Sequence, residues 1–130
     1  MLEDARVAHL GLLDDSGRPR VLPVTYAVCG ARLVTAVDHK PKRRHADDLA
    51  RVRWLRARPS AALTVDRYDA DWLGLAWVQA LGNVDVIDVS AASDAVAALA
   101  ARYEPYRIQP PAGPVLALSP ERLLWWRASE

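Results

Sequence analysis

The stretch Leu33-Val34-Thr35-Ala36-Val37-Asp38-His39-Lys40-Pro41-Lys42-Arg43-Arg44-His45 decides the architecture of this chain. An apolar run with strand character breaks there directly into cations and histidines, at the point where a helix is expected to begin. Of the 17 Lys and Arg residues only two are lysine, and Lys40 and Lys42 both stand in this junction. Lysine is a compact point charge, whereas arginine is a planar fork. A chain that uses arginine almost everywhere else and lysine only here points to an anionic group met at a strand-to-helix turn. A helix start adds unpaired N–H groups and a partial positive charge, so Lys40, Lys42 and Arg43 read as a phosphate cradle, with His39 close beside it.

Working forward, Pro41 suits the first turn of a helix, and Lys42 to Arg58 continues without Gly or Pro until Pro59 stops it. Leu49, Val52 and Leu55 map one apolar stripe, and the arginines beyond Arg44 read as a solvated face. Working backward, Arg6 to Leu13 is strand-like and closes at Asp14-Asp15-Ser16-Gly17, a strong turn signal. Arg20 to Val28 reads as a second strand. Pro23 inside it implies an edge, a bulge, or a backbone that faces something other than a neighbouring strand. Cys29-Gly30-Ala31 turns the chain into a third strand, Arg32 to Val37. Three antiparallel strands joined by tight turns predict a meander rather than βαβ units.

Beyond the helix, Ala61 to Asp66 reads as a fourth strand, and Trp72 to Asp88 as a long strand bent at its glycines. Ser90 is expected to cap a short helix from about Ala92 to Tyr103, with Val96, Leu99 and Ala100 as its core face. A proline-rich connection from Glu104 to Pro114 follows. Two last strands, Val115 to Leu118 and Arg122 to Arg127, are expected to be split at Ser119-Pro120-Glu121. Six or seven strands with helices after the third and fifth predict a mainly β fold, a closed or nearly closed antiparallel barrel with helices at its ends.

Composition bounds the function. At 130 residues the chain is expected to be one domain, residues 1–130. A net charge of +1 argues against a general nucleic-acid coat or a membrane-surface protein. No apolar run approaches the roughly 18 residues of a membrane span. The single Cys29 excludes an intrachain disulfide and fits a reducing compartment, so a cytoplasmic protein is expected. Cys29 reads as a small buried hydrophobe, since no His or Asp lies near it in sequence. His9, His39 and His45 lack the spacing of a zinc site, so no metal is expected. Asp69 and Asp71 read as a loop that orders its own backbone. The five tryptophans are core and interface by default, with Trp77, Trp125 and Trp126 as candidates for a pocket wall.

The order Ala5-Arg6-Val7-Ala8, Asp14 to Pro19, Val21 to Thr25, Val34 to Lys42, Ala57-Arg58-Pro59 and Asp66 to Trp72 resembles the pyridoxamine 5′-phosphate oxidase-like split-barrel superfamily. More narrowly it is similar to the actinobacterial subgroup dependent on the deazaflavin coenzyme F-420. The segments Asp38-His39-Lys40-Pro41-Lys42 and Asp69-Ala70-Asp71-Trp72 carry the narrower resemblance. It implies an FMN-binding-like antiparallel split barrel and a homodimer with two cofactor grooves at the subunit interface. It also implies a ring lying along Pro23, Val24 and Thr25 with Thr35 and Ala36 beside it, and a phosphate held by Lys40, Lys42 and Arg43. The implied activity is hydride transfer between coenzyme F-420 and a small electron-poor substrate, with no catalytic side chain, since the chemistry belongs to the cofactor. An FMN- or haem-binding protein on the same barrel, or a deazaflavin carrier without turnover, is the alternative. A nucleic-acid module, suggested only by the Arg-rich helix, lacks the interleaved aromatics.

Overall fold

The structure is a computed structural model and describes residues 4–37 and 49–128. Seven strands form one antiparallel sheet: β1 (Ala8–Leu13), β2 (Pro19–Val24), β3 (Ala27–Cys29), β4 (Arg32–Ala36), β5 (Ser60–Arg67), β6 (Ala76–Ile87) and β7 (Val115–Arg127). Among the described residues three α-helices accompany them: α1 (Ala50–Ala57), α2 (Ser93–Arg102) and α3 (Glu104–Ile108). The strand order is β2-β1-β5-β6-β7-β4-β3.

That order corrects the expected meander. Each half of it exists as a hairpin, β1 with β2 and β3 with β4. The two hairpins are not neighbours, and the single strand expected from Arg20 to Val28 is broken at Thr25-Tyr26. β2 and β3 are the opposite edges of the sheet, yet only Thr25 and Tyr26 separate them in sequence. Three residue steps reach about 10–11 Å. The edges of a flat seven-stranded sheet lie about 29 Å apart, six spacings of ~4.8 Å. The sheet therefore curls until its edges face each other, leaving a seam instead of a closing ladder. This is an antiparallel split barrel.

The turns that make the hairpins were legible. Asp14 Oδ1 accepts the Ser16 and Arg18 amides at 2.9 and 3.0 Å, and Gly17 takes φ +77°. Those bonds, with Arg20 at 3.5 Å, hold the Asp14 carboxyl below its usual range. Gly30 takes φ +61° in the second hairpin, a conformation open to glycine at no steric cost.

Burial explains the unbroken apolar run of β4. Its Leu33 belongs to the cluster inside the barrel with Leu10, Tyr26, Leu63, Val65 and Leu116. Its Val34 and Ala36 belong to a second cluster with Leu99, Tyr106, Val115 and Ala117, where α2 and α3 cover the outer face. A strand buried on both faces loses its alternation. On α2, Ala95 and Leu99 are buried, while Val96 and Ala100 pack at the margin of the same cluster.

The expected Ser90 cap is displaced. Asp88 accepts from the Ser90 amide at 3.0 Å and closes a short 3-10 turn, Val89–Ala91, before α2 begins. Glu104 to Ile108 is helical rather than irregular, with proline at its start. Trp72–Gly74 is likewise a 3-10 turn and not strand. Asp69 and Asp71 accept the amides of Asp71 and Leu73, as expected of a loop that orders its own backbone.

The two last strands are one. β7 runs through Pro120, which sits opposite Gly82 where the register slips and Glu121 is left unpaired. A bulge frees Pro120 from the ladder bond that it cannot donate. Gly82 is required on the other side, since a Cβ there would lie 2.0 Å from the Ser119 carbonyl oxygen.

The crossing between hairpins is held from α2. Arg102 Nη1 donates to the Tyr26 carbonyl at 2.8 Å and Arg102 Nη2 donates to the Ala5 carbonyl. The Tyr103 hydroxyl accepts the Tyr26 amide at 3.2 Å and faces the Tyr26 and Arg6 carbonyls at 3.1 and 2.9 Å. The Arg102 guanidinium also stacks 4.7 Å above the Tyr26 ring. The Tyr26 side chain is fully buried, and burial pushes its phenol pKa up against the pull of Arg102.

Two outcomes follow in urea or thermal denaturation. Gly82→Ala forces Ser119 to move and loses about 1–3 kcal/mol or more, while Gly11→Ala, whose Cβ would meet nothing nearer than 3.8 Å, is neutral or gains up to about 1 kcal/mol. Tyr103→Phe strips the Tyr26 amide of its partner and costs about 1–3 kcal/mol. Equal stabilities for Gly82→Ala and Gly11→Ala would contradict the close approach at the bulge.

Candidate functional site

The seam carries a concavity of about 210 Å³, lined by Pro23, Val24, Thr25, Thr35 and Ala36 together with Val7 and Arg51. The first five are the residues at which the sequence resemblance places a ring. They come from β2, from the crossing and from β4, which are not paired to one another. Curling of the sheet is what brings them together.

Each is set by its element. Pro23 pairs with His9 of β1 and lies on an edge strand, so its missing N–H costs no ladder bond. Val24 is 9% exposed, ending β2 just before the crossing. The Thr25 hydroxyl is 2.8 Å from the Tyr106 hydroxyl, which fixes it from α3. Thr35 is the sole buried polar residue among those described, at 6% exposure, and it pairs with Leu116 on β7. A buried hydroxyl on an apolar strand at the mouth of a cavity is a group available to a ligand.

Arg51 was missed by the sequence reading, which assigned it to the solvated helix face. On α1, Val52 and Leu55 are buried against the barrel. Residues four apart share a helix face, so Arg51 lies over Leu55 and is half-buried, whereas Arg53 and Arg56 are exposed. That spacing was present in the sequence, but counting only apolar positions hid it. The helix is fixed at its other end by Arg58 Nη1, which donates to the Asp14 carbonyl at 2.7 Å, and by Trp54, whose ring lies 4.9 Å below the Arg20 guanidinium.

His39, Lys40, Lys42 and Arg43, the proposed cradle and its neighbour, lie outside the described residues, as does His45. Among the described residues no group of three His, Cys, Asp or Glu side chains is placed to hold a metal. No helix among them is long and apolar enough to cross a membrane. Cys29 is half-buried and packs against the α2 cluster.

The three tryptophans expected at a pocket wall do share one, but elsewhere. Trp77, Trp125 and Trp126 line a depression of about 460 Å³ with Arg67 and Arg127. Trp77 and Trp126 are paired across β6 and β7, beyond the point at which β4 leaves β7 at Leu118. Trp125 is 68% exposed and Trp126 45%.

No family model matches the sequence, and no curated protein matches it. Solved structures do match in fold. A haem-binding protein from Mycobacterium smegmatis superposes with a TM-score of 0.76 at 22% identity, over 96% of this chain and 50% of that one. An F-420 reductase superposes with a TM-score of 0.71 at 21% identity, over 95% and 92%. An FAD-binding protein from Mesorhizobium loti superposes with a TM-score of 0.69 at 20% identity, over 95% and 87%. The chain thus spans half the length of the haem-binding protein and nearly all of the other two. What the likeness establishes is the fold: this chain is an antiparallel split barrel.

Proposed function

We propose that the chain is an oxidoreductase that binds coenzyme F-420 at the seam and transfers hydride between it and a small electron-poor substrate. The observation that carries this reading is the meeting of Pro23, Val24, Thr25, Thr35 and Ala36 around one concavity. A wall that combines the Pro23, Val24 and Ala36 side chains with two hydroxyls suits one face of a tricyclic ring. The concavity fits such a ring only in part. At about 210 Å³ it falls below the roughly 300–1,000 Å³ of complete small-molecule sites, so further walls are needed. A homodimer with the groove at its interface supplies them, and the exposed Trp125, Trp126 and Leu123 give the chain apolar surface to bury.

In this reading Lys40, Lys42 and Arg43 hold the phosphate, with His39 beside them. Bound deazaflavin supplies the hydride chemistry itself. The chain's own residues orient the ring: Pro23 presents a backbone without an N–H, Thr25 is steadied by Tyr106, and Thr35 offers a hydroxyl from a buried strand. Val7, Val24 and Ala36 exclude water from the reacting face. No side chain is required as acid, base or nucleophile. FMN is the alternative occupant, and absorbance of the purified, reconstituted protein separates it from the deazaflavin.

Fluorescence titration with coenzyme F-420 tests the reading. A charge-assisted contact is worth roughly 1.5–3 kcal/mol, so Lys42→Ala weakens binding by about 10- to 100-fold, and Lys42→Arg recovers part of it. Equal affinity of Lys42→Ala and wild type would remove the cradle. Turnover is expected to change by less than about tenfold in Cys29→Ala and His45→Ala, against the ~10²–10⁴ lost with a general acid or base. Light scattering is expected to give a dimer burying more than roughly 1,000 Å², and a monomer at micromolar concentration would contradict the interfacial groove.

A further inference from the structure

We propose that Arg51 is an anion receptor of the seam concavity, pairing with a phosphate or carboxylate of the molecule bound there. The inference rests on the reading of the concavity as a ligand site, and adds a residue outside the strand-to-helix junction.

Three observations lead to it. Among the described residues Arg51 is the one charged side chain lining the cavity, beside Val7, Pro23, Val24, Thr25, Thr35 and Ala36. Its helix is held by buried Val52 and Leu55 and tied at Arg58, so the guanidinium is delivered from a fixed base. The third observation is how the other arginines are placed: the Arg18, Arg122 and Arg127 guanidinium groups also lack a partner among the described residues but are exposed, whereas Arg51 is half-buried. Arg58, Arg67, Arg102 and Arg107 each donate to main-chain carbonyls, and Arg20 and Arg32 pair with Asp14 and Asp85. Among the described residues the Arg51 guanidinium has neither kind of partner.

A half-buried cation without a counter-charge is costly. That cost is offset when an anion enters, and a planar fork suits a carboxylate or phosphate in bidentate contact. The anion has two possible sources, the phosphate of the cofactor and an acid group on the second substrate.

The test compares wild type, Arg51→Ala and Arg51→Lys, all checked for unchanged thermal unfolding. FMN and riboflavin share a ring and differ by one phosphate. If Arg51 meets the cofactor, Arg51→Ala weakens FMN by about tenfold or more and riboflavin by less than about threefold, with Arg51→Lys between. A ¹⁵N spectrum that observes the Arg51 Nε–H supplies a second readout, with the exposed Arg53 as reference. If FMN affinity is unchanged but the Arg51 signal of the FMN-loaded protein moves on addition of benzoate while that of Arg53 does not, the anion is the substrate's.

Equal losses for FMN and riboflavin would make Arg51 structural and overturn the inference. So would unchanged FMN affinity with an Arg51 signal that ignores benzoate. A wild-type chain that binds neither flavin rules out FMN as the occupant and leaves coenzyme F-420 to its own titration. The inference then stands if inorganic phosphate moves the Arg51 signal and not that of Arg53, and falls if it does not.

Discussion

Two residues, Thr25 and Tyr26, must carry the chain from one edge of a seven-stranded sheet to the other. That constraint sets the curl of the sheet, the position of the seam and the place where a cavity opens. The crossing has no strand partner of its own, and unpaired backbone groups at a buried position are costly. Arg102 and Tyr103 supply the missing partners to Tyr26, while Tyr106 reaches Thr25. The end of α2 and the start of α3 thus do for the crossing what a neighbouring strand does elsewhere in the sheet. The same contacts bring Thr25 to the cavity wall, so the closure of the barrel and the shape of the site share one set of side chains.

Local signals in the sequence described local structure well. Asp14 to Gly17 and Gly30 mark their hairpins because the turn chemistry lies within four residues. The apolar run at Leu33 marks β4, and its lack of alternation follows from burial on both faces. The break at Thr25-Tyr26 was not legible, because its partners lie more than seventy residues away. Nor was the continuity of β7 through Pro120, since a proline reads as an interruption unless the facing Gly82 is known to receive a bulge. Ser90 does not cap α2, whose N-cap position is Ala92, without a side-chain cap; Asp88 instead caps a separate 3-10 turn that precedes the helix and was not legible in the sequence.

The candidate site divides in the same way. Pro23, Val24, Thr25, Thr35 and Ala36 came from a resemblance carried by position, and the sheet gathers them. Arg51 was obscured by its surroundings in sequence: among Arg53, Arg56 and Arg58 it looks like one more solvated cation. The packing of Val52 and Leu55 distinguishes it. The tryptophans were expected as candidates for a pocket wall, and the wall they line belongs to a different cavity from the one at the seam. Aromatic character alone does not say which of two cavities a residue serves.

The pairing of β4 with β7 joins Leu33 to Leu118 and Ala36 to Val115, residues from the first third of the chain and from near its end. Both hairpins form from neighbours in sequence, but this ladder closes a long loop, and loop-closure entropy makes such contacts slow. Thr35 and Ala36 gain their final surroundings only when β7 has docked. On a ribosome, where β4 emerges long before β7, the wall of the cavity therefore stays incomplete until β7 has left the exit tunnel. A nascent chain lacking β7 has no finished seam, which ties the appearance of the cavity to the emergence of that one strand.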